Sequence, residues 1–411
     1  MAYKRRRKAA KAWGVSMQRM MNVMTGVGTQ MVNNMMTSAL KTARRQVASA
    51  MSASAALAGS GNALRTRRAE SRPPAQAKPG TKTPARAPAL PPASRARSST
   101  SRIKPREPHL GRAVSTGGVR RFELWVPPGT RARQRLPLVV MLHGCSQDIE
   151  SFRGSTRMNR IADKAGFCVL YLEQERLANP MNCWNWFALD SGKAQSEIAI
   201  IRAAIRQVCR KYPVNPDAVA LVGLSAGASM AALVASRHPA EFVAVAMHAG
   251  VPPGSARRVS SALAAMQGEG SPAVLHRDEE AGLPALLVVQ GMADKVVDPV
   301  NGEDAARQWA NACEAHATPR RVSQRGNRYP VTITDYVTEG RVRARLCQVK
   351  KLGHAWSGGD GRFKYSDPEG PDASLMTWRF IEDVLRQRAP AKATPRRRKT
   401  DPAPLTLTLA P

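Results

Sequence analysis

Ser225 stands in Gly223-Leu224-Ser225-Ala226-Gly227, directly after the apolar run Ala218 to Val222 and ahead of the alanine-rich stretch Ala226 to Ser236. A serine in a Gly-x-Ser-x-Gly pentapeptide between a strand and a helix occupies a sharp turn. Only small neighbours fit there, and the hydroxyl projects above the sheet edge. That chemistry is nucleophilic. A serine hydroxyl needs a neutral imidazole to take its proton and a carboxylate to hold the imidazole in the right tautomer, so two partners are expected elsewhere in the chain.

In an open α/β arrangement these partners follow in the order serine, acid, histidine. Pro284 to Gly291 reads as a buried strand, and Asp294 follows its C-terminal end on a turn. That edge is where such sheets keep their functional loops. Asp298 is the rival, and a solvated turn carboxylate is the ordinary role of either. Of the seven histidines, only His354 lies beyond Asp294 on a glycine-bounded loop after a strand-like run, Leu346 to Leu352. His316 falls in a helical segment from Gly302 to Ala317 and is expected at the surface. His354 is therefore the expected base.

The developing oxyanion needs two N–H donors. The strand Leu138 to Leu142 runs into His143-Gly144-Cys145-Ser146, which places the Cys145 amide at one side of the serine. The second donor is the amide after the nucleophile, Ala226. His143 reads as a residue that orders this loop by a hydrogen bond.

The elements that position these groups alternate along the chain. Phe167 to Leu172 and Phe242 to Met247 are further apolar strands, while Glu197 to Tyr212 and Asp372 to Arg388 have helical apolar spacing, the latter with Asp372 as N-cap. Alternation of this kind predicts an α/β fold with a mostly parallel central sheet and helices on both faces. No internal repeat is present.

Four segments together carry a family resemblance: Leu142-His143-Gly144-Cys145-Ser146-Gln147, Asn182-Cys183-Trp184-Asn185-Trp186-Phe187, Gly223-Leu224-Ser225-Ala226-Gly227-Ala228 and Gly353-His354-Ala355-Trp356. The chain resembles, over roughly Phe122 to Leu385, the esterase family of short-chain poly(3-hydroxyalkanoate) depolymerases, related to feruloyl and acetyl xylan esterases. The resemblance implies an α/β hydrolase fold and ester hydrolysis through Ser225, Asp294 and His354, with Cys145 and Ala226 as oxyanion donors and no cofactor. Many members of that family are secreted, whereas this chain opens without a clear export signal. Trp184 and Trp356 are expected around the acyl or alkyl groups of the substrate, because tryptophan offers a large rigid apolar face. Trp186 is read as core.

Six cysteines leave two bridges open, Cys145 with Cys183 and Cys313 with Cys347, beside the alternative of small buried thiols in a reducing compartment. Cys168 and Cys209 fall on apolar positions and read as core. No Cys-x-x-Cys or His-x-x-x-His pair occurs, so no metal site is expected.

The net charge of +33 is unevenly spread over the 411 residues. Up to Arg106 there are 22 Lys and Arg against the single acid Glu70, a charge of +21. Five basic residues and Asp401 follow Arg388, adding +4, which leaves +8 for Glu107 to Arg388. The expected organisation is a basic methionine-rich amphipathic segment over 1–60, a Pro/Ala/Arg linker over 61–106 that cannot bury enough apolar surface to order, an α/β hydrolase domain over 107–388 and a basic tail over 389–411.

Trp13, Met17, Met20, Met21, Met24, Met31 and Met35 recur at helical spacing behind the cluster Lys4 to Lys8. That pattern suits an anionic or lipid-coated surface, such as a storage granule or membrane. No window reaches the roughly 20 apolar residues of a membrane span, and Val47 to Gly59 is too poor in leucine for a secretory core. The expectation is a cytoplasmic or granule-associated esterase on hydroxyalkanoate polyesters or oligomers. The alternatives are an esterase on soluble aryl or acetyl esters and, from another class, a basic surface- or nucleic-acid-binding protein. The body carries no motif for specific nucleic-acid recognition.

Overall fold

A computed structural model of the chain describes residues 107–275 and 282–388. The expectations for 1–60, 61–106 and 389–411 lie outside these residues. Eleven strands among the described residues form one sheet in the order β1-β2-β4-β3-β5-β6-β7-β11-β10-β8, with β9 also on β10. They are β1 (His109–Ser115), β2 (Gly118–Trp125), β3 (Leu136–Leu142), β4 (Cys168–Leu172), β5 (Val214–Leu224), β6 (Ala244–His248), β7 (Ala285–Gly291), β8 (His316–Ala317), β9 (Arg321–Ser323), β10 (Val331–Thr338) and β11 (Arg341–Val349). The run β4-β3-β5-β6-β7-β11 is parallel throughout, and the strands flanking it on either side pair antiparallel.

The central strands are mostly apolar because both faces are covered. In β3, Leu138, Val140 and Leu142 face one hydrophobic layer while Val139 and Met141 face the other. The same two-residue alternation divides Leu286 and Val288 from Leu287 and Val289 in β7. The first layer is closed by helices α3 (Lys193–Lys211), α4 (Ala226–Arg237), α5 (Val259–Met266) and α6 (Val300–Ala312). The second is closed by α1 (Ile149–Thr156), α2 (Met158–Ala165) and α7 (Ala373–Arg388). This is the α/β hydrolase architecture with helices on both faces. Because the central strands run the same way, their C-terminal ends gather the βα loops on one rim.

Two local expectations change. The helix expected over Gly302 to Ala317 ends at Ala312, because Glu314 takes the left-handed backbone region (φ 52°) and turns the chain, so His316 lies exposed on the short strand β8. Of the two bridges left open by the sequence, that between Cys313 and Cys347 is absent. Cys313 packs in the layer of α3–α6 and Cys347 in the layer of α1, α2 and α7, so the sheet itself stands between the two sulfurs. Asp372 caps α7 as expected, its carboxylate accepting the N–H of Leu375 at 2.9 Å.

Candidate active site

Strand β5 ends at Leu224 and helix α4 begins at Ala226, which leaves Ser225 alone at the turn with φ 55° and ψ −122°. A side chain rarely adopts that conformation, and the surroundings must impose it at a cost of order 1–3 kcal/mol. The two glycines make this feasible by close approach. A Cβ on Gly223 would meet the Gly227 carbonyl at 2.2 Å, and one on Gly227 would meet the Leu142 oxygen at 2.2 Å.

The turn after β7 carries Asp294, whose carboxylate is shut away from solvent. Its Oδ1 accepts the backbone N–H groups of Val296 (2.8 Å) and Val297 (3.0 Å), which fix the side chain. Its Oδ2 accepts from His354 Nδ1 at 2.8 Å. The rival Asp298 is exposed and accepts the N–H of Val300 at the start of α6.

His354 Nε2 lies 3.0 Å from Ser225 Oγ. The donation to Asp294 sets the tautomer, with the proton on Nδ1 and the lone pair of Nε2 facing the serine. The histidine loop is fastened to the acid turn by Met292 N–H to Val349 O and Ala293 N–H to Leu352 O, both 2.9 Å. Serine, acid and base therefore come from three different strand ends and meet in one line.

The loop after β3 has its amides committed on either side of one residue. Gly144 donates to Gln147 Oε1 (2.9 Å) and Ser146 to the Met181 carbonyl (2.7 Å), while among the described residues the Cys145 amide has no acceptor. Ala226 opens α4, where the leading N–H groups have no carbonyl within the helix. A disulfide joins Cys145 to Cys183. His143 is buried; its Nδ1–H donates to the Gly144 carbonyl (2.8 Å) and its Nε2 accepts from Gln174 N–H (3.0 Å). Burial lowers its pKa, so the ring is a neutral brace of the loop.

Both tryptophans expected at the substrate are instead core. Trp184 is 0% and Trp356 1% exposed. Trp356 stands edge-on to Phe152 with its indole N–H on Ser374 Oγ (3.0 Å), and Trp184 belongs to the layer under α3 and α4. Tyr365, 39% exposed, has its ring centroid 6.5 Å from that of His354, and Met292, 42% exposed, lies two residues before Asp294. Trp186 is buried as expected.

Sequence reasoning passed over His248, the last residue of β6. Its ring is buried beside Trp356 and accepts the N–H of Ser357 at 3.0 Å, three residues beyond His354. Burial, and then the neighbouring His354, lowers its pKa to about 3. The available signal was its place at a strand C-terminus, the same edge that holds Asp294.

A family model described as esterase PHB depolymerase matches residues 120–325 of this chain. Among individual relatives, poly(3-hydroxyalkanoate) depolymerase C of Paucimonas lemoignei is 30% identical over 204 residues, 47% of this chain and 49% of that protein. Feruloyl esterase B of Neurospora crassa is 27% identical over 191 residues, 42% of this chain and 64% of that protein. The chain thus spans about half to two thirds of the lengths of these relatives. The solved acetyl xylan esterase from Aspergillus awamori superposes with a TM-score of 0.50 at 18% identity, covering 60% of this chain and 94% of that one, which supports the fold. With the family model spanning half of the sequence, the chain belongs to the esterase PHB depolymerase family.

Proposed function

We propose that this chain is a serine esterase that hydrolyses the ester bonds of short-chain poly(3-hydroxyalkanoate) polymers or oligomers. The observation that carries the reading is His354, placed 3.0 Å from Ser225 Oγ and 2.8 Å from Asp294 Oδ2. Ser225 Oγ attacks the ester carbonyl while its proton passes to His354 Nε2, and Asp294 stabilises the imidazolium that forms. The amides of Cys145 and Ala226 donate to the carbonyl oxygen as it becomes an oxyanion. Collapse expels the alcohol, which takes the proton from His354 and leaves an acyl group on Ser225. Water then attacks that ester along the same path and frees the acid.

Tyr365 and Met292 supply the apolar contact to the acyl chain that the buried tryptophans cannot. The basic methionine-rich segment over 1–60, together with the linker over 61–106, adds charge attraction and apolar burial at a granule or anionic membrane surface, which raises the local concentration of an insoluble substrate. The name of the Paucimonas lemoignei relative favours polyester, while the Neurospora crassa relative keeps a second reading, an esterase on soluble aryl or acetyl esters. Side-by-side assays on amorphous polyhydroxybutyrate granules, p-nitrophenyl butyrate and methyl ferulate separate the two. Turnover of the granules is the expected result, and turnover of methyl ferulate alone rejects the polyester reading.

A further inference from the structure

Helix α3 presents an apolar stripe to the sheet, including Ala194, Ile198, Ile201, Ala204, Ile205 and Val208, and one acid stands on it. Glu197 is only 3% exposed. Its Oε1 accepts from Gln174 Nε2 (2.6 Å) and Asn185 Nδ2 (2.6 Å), and its Oε2 accepts the backbone N–H of Asn185 (2.7 Å). The guanidinium of Arg120, equally buried, lies 3.7 Å away. Burial raises the pKa of this carboxyl, opposed by the bonds from Asn185 and Gln174 and by the Arg120 charge. All four groups from these three residues are N–H donors, so the anion is the form that satisfies them. An apolar side chain of similar volume commonly stabilises a core as well as a buried ion pair does. The carboxylate therefore calls for an explanation other than stability.

Two routes lead from it to the Cys145 amide. Gln174, held by Glu197, donates its backbone N–H to His143, whose ring donates to the carbonyl of Gly144, the residue before Cys145. The same Gln174 side chain donates to the carbonyl of Cys183 (3.0 Å), the disulfide partner of Cys145. Asn185 also accepts from Asn179 (2.9 Å) in the loop whose Met181 carbonyl receives the Ser146 N–H. The segment from Gln174 to Asn185 thus meets the oxyanion loop at His143, Cys145 and Ser146, and one carboxylate clamps its two ends.

We infer that Glu197 is a positioning residue that holds the Cys145 amide at the oxyanion, an inference resting on the serine esterase reading above. A donor contributes only when it sits about 2.7–3.1 Å from where the oxyanion forms. Loosening the clamp then weakens binding of the transition state and leaves binding of the ground-state ester nearly unchanged.

The test is Glu197→Gln in the full chain, which puts an NH2 where the network offers only donors. Rates are normalised to active sites titrated by the p-nitrophenol burst. The expected result is a kcat about 10-fold or more lower, short of the ~10²–10³ for outright loss of a donor. KM should stay within about twofold, and the affinity for a trifluoromethyl ketone that forms a tetrahedral adduct should fall in parallel with kcat/KM. If Glu197→Gln does not fold, Gln174→Leu keeps the backbone N–H to His143, removes both side-chain donations and should give the same signature in smaller degree. An unchanged kcat per titrated site with only a lower Tm overturns the inference, as does a change confined to KM. Ser225→Ala run alongside keeps the two readings apart: its retained turnover sinks the serine mechanism, whereas its inactivity beside an unimpaired Glu197→Gln sinks the clamp alone.

Discussion

Ser225 donates its backbone N–H to the carbonyl of His248 at 2.9 Å. The ring of the same histidine accepts the N–H of Ser357 on the loop that carries His354. One residue at the end of β6 thereby ties the Ser225 turn to the His354 loop, by its backbone on one side and its side chain on the other. The neutral ring is essential to this, because only a neutral imidazole can accept.

That requirement makes stability pH-dependent in a defined direction. The folded-state pKa of His248 is lowered to about 3, while an unfolded histidine titrates near 6.5. Below about pH 6.5 the unfolded chain takes up a proton that the folded chain refuses, so the stability from this site is complete above that value. It falls by up to about 1.4 kcal/mol per pH unit toward pH 3. His143 acts in the same sense, and the raised pKa of Glu197 acts in the opposite one. Urea unfolding of wild type and His248→Gln between pH 4 and 7 isolates the histidine contribution. The variant should show a shallower loss of stability toward acid, and parallel curves reject the assignment.

Ser225→Ala should lower kcat by about four to six orders of magnitude, since triad members act as a unit and only oxyanion and binding contributions survive. His354→Ala should approach that loss, and Asp294→Asn should cost less because it misorients the base without deleting it. Asp298→Asn should leave kcat within about twofold, its carboxylate serving the first turn of α6. EDTA should have no effect. Steady-state kinetics on p-nitrophenyl butyrate with circular dichroism of each variant checks the set; a crippled Asp298→Asn reassigns the acid.

Cys145→Ser with Cys183→Ser removes the covalent tie between the oxyanion loop and the segment 174–185. A loop of this size predicts a loss of about 2–4 kcal/mol in stability. The loss of kcat should exceed any change in KM, because in the proposed mechanism the Cys145 amide acts chiefly on the transition state. Dithiothreitol titration of wild type, followed by activity and thermal melting, should reproduce both effects.

Tyr365→Ala should raise KM for hydroxybutyrate oligomers several-fold with little change in kcat on p-nitrophenyl acetate, whose short acyl group offers the ring little apolar surface. Trp356→Phe should instead lower the melting temperature, because it removes a buried hydrogen bond to Ser374 and leaves a void beside Phe152. Equal KM effects from both would return Trp356 to the substrate site.

Protein beginning at Glu107 should match the full chain on p-nitrophenyl butyrate yet co-sediment poorly with polyhydroxybutyrate granules or anionic vesicles. Full-length binding should weaken as salt rises, with the apolar part persisting. Equal sedimentation of the two at low salt removes the anchoring role from the first 106 residues.

The parallel strands and the strand-end turns that bring Ser225, Asp294 and His354 together were legible in the sequence because each rests on a local pattern: an apolar run, then a glycine-flanked or acid-bearing turn at its end. Period and turn chemistry act over a few residues and survive without knowledge of neighbours. Pairing and burial do not. Trp184 and Trp356 follow site motifs yet point into the core, since the direction of a side chain depends on which layer receives it. Cys313 and Cys347 flank one strand-helix unit yet face opposite sides of the sheet, while Cys145 and Cys183 are brought together by loops 38 residues apart. Glu197 and His248 look ordinary in sequence. Their partners, Gln174, Asn185 and Arg120 for one and Ser357 for the other, come from distant segments that only the closed sheet sets side by side.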